Sequence, residues 1–199
     1  MIIGAILAGG ASRRMGEDKA VVAVGSRPMW ERVAIALEPL VTSTVLVGRD
    51  ESPSPDIVAL PDPVDGPTGP LAGIAAGMRA ALQAHGPHAA VVCVAVDHPY
   101  VRAGTLRRLI DEFEGVAVVP VQDGVRQVTC AVYPAAWQAA ARREVDEGGS
   151  VQSLLDRMPH RPVLPEEWAA WGEDGRSWFS VDDPAALTLG QERYGSGIE

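Results

Sequence analysis

The sequence predicts an α/β protein built on a doubly wound, mostly parallel sheet. Short apolar runs recur along the chain, and most are continuously apolar rather than alternating, as strands covered on both faces must be. Segments with helical apolar spacing fall between them. The first run also ends at a double glycine followed by arginines and a lysine, a pattern suited to holding phosphates where a strand enters a loop.

Ile2–Leu7 is the first strand, stopped by Gly9-Gly10. Pro28 opens a helix through Leu37, with Trp30, Val33, Ala34 and Leu37 on one stripe. Thr44–Val47 and Ile57–Leu60 are the next strands. Leu71–Ala84 repeats the helical spacing through Leu71, Ile74, Met78 and Leu82. Ala90–Val96 is a strand, and Thr105–Phe113 a helix carried by Leu106, Leu109, Ile110 and Phe113. Val116–Val121 and Val128–Tyr133 are strands. The rhythm then changes: Ala135–Glu144 and Val151–Met158 are predicted helices around the Gly148-Gly149 break, Trp178–Val181 a late strand and Pro184–Leu189 a closing helix. Residues 1–189 are expected to form one domain. Residues 190–199 carry no apolar period and are expected to fray.

The chain has 199 residues, enough for one well-packed core, and 47% of them are apolar, which excludes disorder over most of its length. No apolar run approaches the roughly 18 residues that span a membrane, and no basic stretch precedes Ile2 as in a signal peptide. The two cysteines, Cys93 and Cys130, lie in apolar runs and read as buried free thiols of a cytoplasmic protein. A net charge of −9 argues against a broad nucleic-acid surface. It leaves room for a small anionic ligand, because local cations set the local field.

The loop Gly9-Gly10-Ala11-Ser12-Arg13-Arg14-Met15-Gly16-Glu17-Asp18-Lys19 is neither of the two best-known phosphate motifs. A Walker A loop needs lysine directly after its last glycine, then Ser or Thr; here Glu17 and Asp18 intervene and Ala20 follows. The dinucleotide fingerprint fails at Ala11-Ser12. The segment is either a phosphate cradle that uses Arg14 and Lys19 or an ordinary strand-to-helix turn. Cations clustered in an otherwise acidic chain favour the cradle. A second segment, Leu60 to Gly73, is stiffened by proline and glycine; Asp62 and Gly69 there either face a base or sugar or belong to a solvated surface loop. Asp97, after the strand Ala90–Val96, sits where open α/β sheets bind ligands. It either holds a hard cation such as Mg²⁺ or caps a turn before Pro99. His98 reads as a partly exposed loop residue, and His85, His88 and His160 as exposed. Asp182 and Asp183 either cap the last helix or, should the preceding strand return beside Asp97, bring Asp182 to the same metal. Trp168 and Trp171 read as packing an edge helix or flap. No Ser/His/acid arrangement suggests a nucleophile, and no Cys/His cluster suggests zinc.

Together these segments resemble the molybdenum cofactor guanylyltransferase family, the MobA-like nucleotidyltransferases, from Ile2 to about Leu189. The carrying residues are Leu7-Ala8-Gly9-Gly10, Arg14-Met15-Gly16, Asp18-Lys19, Gly69 to Gly73, Asp97 with Pro99, and Val181-Asp182-Asp183-Pro184. The resemblance implies a Rossmann-like, GT-A-like nucleotidyltransferase that transfers GMP from GTP to molybdopterin, or molybdenum cofactor, and releases pyrophosphate. It implies that Leu7, Ala8, Gly9, Gly10, Asp62 and Gly69 bind the nucleotide, with Lys19 and Arg14 neutralising its phosphates. It implies Mg²⁺ at Asp97, with molybdoenzyme maturation proteins as further partners. The sequence departs from the family's pattern in Val47-Gly48-Arg49-Asp50, where an asparagine is frequent, and in His98. Asp123-Gly124-Val125-Arg126-Gln127 resembles the family's pterin-side loop, but Val128-Thr129 follows where a proline is common. Two other readings stand beside this one: a related transferase using CTP or a sugar phosphate, and a non-catalytic nucleotide-binding paralogue.

Overall fold

The computed structural model describes residues 1–9, 18–61 and 69–195. Of the candidate site residues singled out above, Gly10, Arg14 and Asp62 lie outside the described residues, as do Met15 and Gly16.

β1 (Ile2–Leu7) runs up the centre of the sheet. After a 3₁₀ turn at Lys19–Val21 come a small hairpin, β2 (Ala23–Val24) and β3 (Arg27–Pro28), and helix α1 (Met29–Leu37). β4 (Thr44–Val47), β5 (Ile57–Leu60), α2 (Pro70–His85), β6 (Ala90–Ala95) and α3 (Ala103–Asp111) follow, close to their predicted bounds. β7 (Ala117–Gln122), β8 (Val125–Arg126) and β9 (Cys130–Pro134) precede α4 (Gln138–Asp146), α5 (Val151–Arg157), β10 (His160–Val163), α6 (Pro165–Ala170) and α7 (Pro184–Tyr194). The main sheet runs β10-β7-β9-β6-β1-β4-β5, with β8 paired to β7. β1 pairs in parallel with β4 and with β6, β4 with β5, and β10 with β7; β9 runs antiparallel between β6 and β7. The expected doubly wound, mostly parallel sheet is therefore present, with β9 as an inverted insert.

Both faces of the sheet are covered, and this explains the unbroken apolar runs. Ile3, Ala5 and Leu7 of β1 and Val91, Cys93 and Ala95 of β6 pack with Leu71, Ile74 and Met78 of α2 on one side. Ile6, Val92 and Val94 face Val33 and Leu37 of α1 and Leu106 and Leu109 of α3 on the other. Cys93 and Cys130 sit on neighbouring strands but in opposite cores, fully buried and unpaired, and burial pushes both thiols far up. Neither is expected to react with an alkylating reagent in the native protein. Titration with a chromogenic disulfide reagent should count no thiol before denaturant is added and two after it; rapid labelling of the folded chain would contradict this burial.

Three expectations need correction. Trp178–Val181 is not a strand. It is a 3₁₀ turn, Arg176–Trp178, followed by extended chain that belongs to neither sheet. Trp178 is instead buried, its indole N–H donating to the Gln122 side chain. The chain does not stop being helical at Leu189 either: α7 continues to Tyr194, whose ring packs 5.3 Å from Tyr100 and 5.4 Å from Phe179. Gly190 makes that approach possible, since a Cβ there would lie 2.5 Å from the Tyr100 ring. His98, finally, is buried rather than partly exposed, as its ring is hydrogen-bonded to Thr129 Oγ1 at 2.9 Å. Trp168 and Trp171 do pack an edge helix, α6, against the core, and the Trp168 indole donates to the Val121 carbonyl at 3.0 Å. Among the described residues no helix is long and apolar enough to cross a membrane.

Candidate active site

The chain order places a switch point beside β1. After β1 it moves outward to β4 and β5 on one side, then α2 carries it back across to β6 on the other. Open α/β sheets form their ligand crevice at the carboxyl ends of the strands flanking such a point. Leu7 ends β1 and Asp97 lies two residues past the end of β6; the Val96 N–H donates to the Leu7 carbonyl at 3.0 Å, tying the two strand ends together. The Ala8 N–H donates to the Val47 carbonyl at 2.8 Å. These groups of Leu7 and Ala8 are committed to the sheet, and the exposed Gly9 is the part of this edge open to a ligand.

Lys19 reaches the same edge from the far end of the glycine-rich segment. Its ammonium donates to Asp182 Oδ1 at 2.5 Å and stands 3.6 Å from Asp97 Oδ2. The structure thus brings Lys19, Asp97 and Asp182 together across 163 positions of sequence. The extended chain after Trp178 makes this possible, because the Val181 N–H donates to the Asp97 carbonyl at 2.8 Å and delivers Asp182 beside it. Burial would raise the Asp182 carboxyl, but hydrogen bonds from Lys19 and from Ser180 outweigh it and hold the group below the usual carboxylate range. Asp183, by contrast, caps α7 through the Ala186 N–H.

Two carboxylates converging on one cation position can hold a divalent metal as readily as an ammonium. Among the described residues no larger cluster of metal-ligating side chains exists. A hard ion held here would complete its shell with phosphate oxygens and water. Gly69, exposed and with φ +63°, starts the sixteen-residue α2. The first turn of that helix lies against the ends of β1 and β4, since a Cβ on Gly73 would sit 3.2 Å from Leu7 Cδ2. Its positive dipole end therefore borders the same crevice.

Beside Asp182 opens a groove of about 380 Å³ whose lining includes Gln122, Gln127, Phe179, Ser180, Arg193 and Tyr194. Ser180 joins groove and carboxylates by donating to Asp182 Oδ2 at 2.9 Å. Arg193 stacks over Tyr194 at 5.1–5.3 Å together with Arg176, and among the described residues it has no carboxylate partner. Sequence reasoning did not single out Ser180 or Arg193, and it read the buried His98 as partly exposed. Ser180 had a faint signal: two positions from Asp182 in extended chain, it lies on the same side.

Comparison with known proteins identifies the family. The family model described as a MobA-like NTP transferase domain matches residues 4–162. A protein of Opitutus terrae described as a probable molybdenum cofactor guanylyltransferase is 34% identical over 177 residues, 83% of this chain and 86% of its own length. A molybdenum cofactor guanylyltransferase of Cereibacter sphaeroides is 35% identical over 153 residues, 72% of this chain and 78% of its own. The crystal structure of molybdopterin-guanine dinucleotide biosynthesis protein A from Archaeoglobus fulgidus superposes with a TM-score of 0.77 at 24% identity, covering 96% of this chain and 97% of that one. Matched by the family model over most of its length and by these relatives, the chain is a nucleotidyltransferase belonging to the MobA-like NTP transferase family.

Proposed function

We propose that this protein transfers GMP from GTP to molybdopterin, or molybdenum cofactor, with release of pyrophosphate in the cytoplasm. The observation that carries the reading is the one cation position shared by Asp97 and Asp182, reached by a lysine from the glycine-rich segment. Mg²⁺ suits two carboxylate oxygens that leave most of its shell to phosphate and water. When bound, it supplies charge neutralisation at the α-phosphate and at the leaving pyrophosphate. Asp97 and Asp182 hold that charge in place. Lys19, on a flexible stem, turns its ammonium from the carboxylates to the phosphates, and Arg14 of the same segment adds a second cation. Gly10 and Gly69 offer backbone N–H groups to the phosphates. Gly9 and Asp62 meet the nucleoside, on a floor formed by Leu7 and Ala8, whose hydrogen-bonding groups at this edge are held by the sheet. The acceptor's phosphate oxygen attacks the α-phosphorus as the bond to pyrophosphate breaks, and the protein's task is alignment and charge neutralisation.

The groove beside Asp182 supports an acceptor that is flat and anionic. Phe179 offers ring surface, Gln122 and Gln127 bring amides to a heterocycle edge, and Arg193, stacked over Tyr194 but with no carboxylate partner among the described residues, offers its N–H donors. Molybdoenzyme maturation proteins would receive the product.

The test is nucleotide choice coupled to turnover. GTP is expected to bind better than CTP or ATP, because an unmatched base edge leaves a buried polar group unpaired at about 1–3 kcal/mol. That corresponds to roughly 5- to 150-fold in affinity. Calorimetry with the three nucleotides, with and without Mg²⁺, reads the order, and pyrophosphate release with molybdopterin as acceptor reads the reaction. Equal affinities remove the guanine assignment, and a preference for CTP points to the related cytidylyl chemistry.

A further inference from the structure

Both described ends of the glycine-rich segment meet one turn. The chain leaves β1 at Gly9 and is described again from Asp18. Gly48, just after β4, has φ +91°, and a Cβ there would lie 2.3 Å from the Cα and the N of Gly9. Only a glycine allows two backbones to cross so closely. The next residue, Arg49, grips Asp18 at the other end: its two terminal nitrogens donate to the two carboxylate oxygens of Asp18. The turn is itself anchored, since the Gly48 and Arg49 N–H groups both donate to the Leu60 carbonyl, at 2.8 and 3.2 Å.

The Asp18 carboxylate also accepts from the Ala20 N–H at 3.0 Å and so caps the 3₁₀ turn that begins with Lys19. Arg49 therefore holds the cap, and the cap orients the first residue of the turn. The Arg49 Nε is buried with no hydrogen-bond partner among the described residues, so the guanidinium has given up water on that side for the sake of the fork. An arginine is needed there, because a lysine ammonium cannot reproduce two parallel N–H donors. The Arg49 hydrogen bonds hold the Asp18 carboxyl below its ordinary value, so the pair is ionised at any pH at which an enzyme of this kind is assayed.

We infer that Arg49 is a positioning residue for the transfer reaction: through Asp18 it pins the far end of the glycine-rich segment and aims Lys19, while Gly48 pins the near end. The clamp fixes where the ammonium stands, and a displacement of about 1 Å at such a group can cost about 10²-fold in rate. The inference rests on the role proposed above for Lys19.

The experiment is a cycle of variants in the full chain, read as kcat/KM for pyrophosphate release. Arg49→Gln is expected to lose about 10- to 100-fold, with the thermal midpoint close to wild type because the pair lies near the surface. Asp18→Asn, which keeps an oxygen for the cap, should lose a comparable factor and serves if Arg49→Gln folds poorly. Arg49→Lys should recover little. In a Lys19→Ala background, Arg49→Gln should change almost nothing further, because the group it aims is gone. Multiplying losses in that background would mean that Arg49 touches the substrate itself, and would overturn the inference, as would wild-type rates for Arg49→Gln. Those outcomes leave the Lys19 role standing as long as Lys19→Ala alone is impaired. Wild-type rates for Lys19→Ala would overturn both.

Discussion

Asp97→Asn is expected to lower metal-dependent pyrophosphate release by about 10²–10³-fold, the usual cost of removing one charge-stabilising group from an active site. Asparagine keeps the shape and one oxygen but not the negative charge that a hard dication requires. The fold should tolerate the change. The link between Asp97 and the returning chain runs through its backbone carbonyl, which accepts the Val181 N–H, and not through the carboxylate. Asp182 would still be delivered, and the nucleoside contacts made elsewhere should keep much of the binding. Rates measured across a Mg²⁺ titration, with nucleotide affinity measured in parallel, separate this from a turn-capping role, for which asparagine is an adequate substitute. Wild-type rates at low Mg²⁺ would end the metal assignment.

Lys19→Ala should be about as damaging to turnover, again about 10²–10³-fold, with a small effect on the thermal midpoint. The ammonium stands 2.5 Å from Asp182 and 3.6 Å from Asp97, so its loss leaves two like charges facing one another without their shared counter-ion. The Asp182 carboxyl, held low by Lys19 and Ser180 against its own burial, should then titrate at higher pH. Pyrophosphate release at saturating GTP is the measurement. A near-normal rate would return Lys19 to the status of a surface lysine.

The central strands and the helices beside them were legible because their periodicity is local. Ile2–Leu7, Thr44–Val47 and Ile57–Leu60 fall where the apolar runs lie, and α2 differs from its expected span by one residue at each end. β10 was not legible: His160–Val163 contains a proline and no apolar run, and it is a strand only because β7 offers it an edge. Trp178–Val181 failed in the opposite direction, an apolar stretch with β-forming residues that joins neither sheet and buries Trp178 instead. α7 ran past Leu189 because Tyr194 finds Tyr100 and Phe179, contacts distant in sequence.

The site divides in the same way. Lys19 and Asp97 were legible from motif and position, each at a place where a strand end meets a loop. The same reading of Asp182 was conditional on the chain returning beside Asp97, and that return depends on one hydrogen bond between segments far apart in sequence. Arg49 stood out in the sequence only as a departure from a family pattern, and its fork on Asp18 is a fact of tertiary structure. By itself the sequence determined the α/β class, the order of the main elements and the residue types gathered at the first loop, since apolar period and glycine placement act over a few residues. The tertiary structure alone decided that Lys19, Asp97 and Asp182 share one cation position, that Ser180 borders a groove with Arg193 and Tyr194, and that His98 is buried. Electrostatic contact falls off over a few ångströms of space, whatever the separation along the chain.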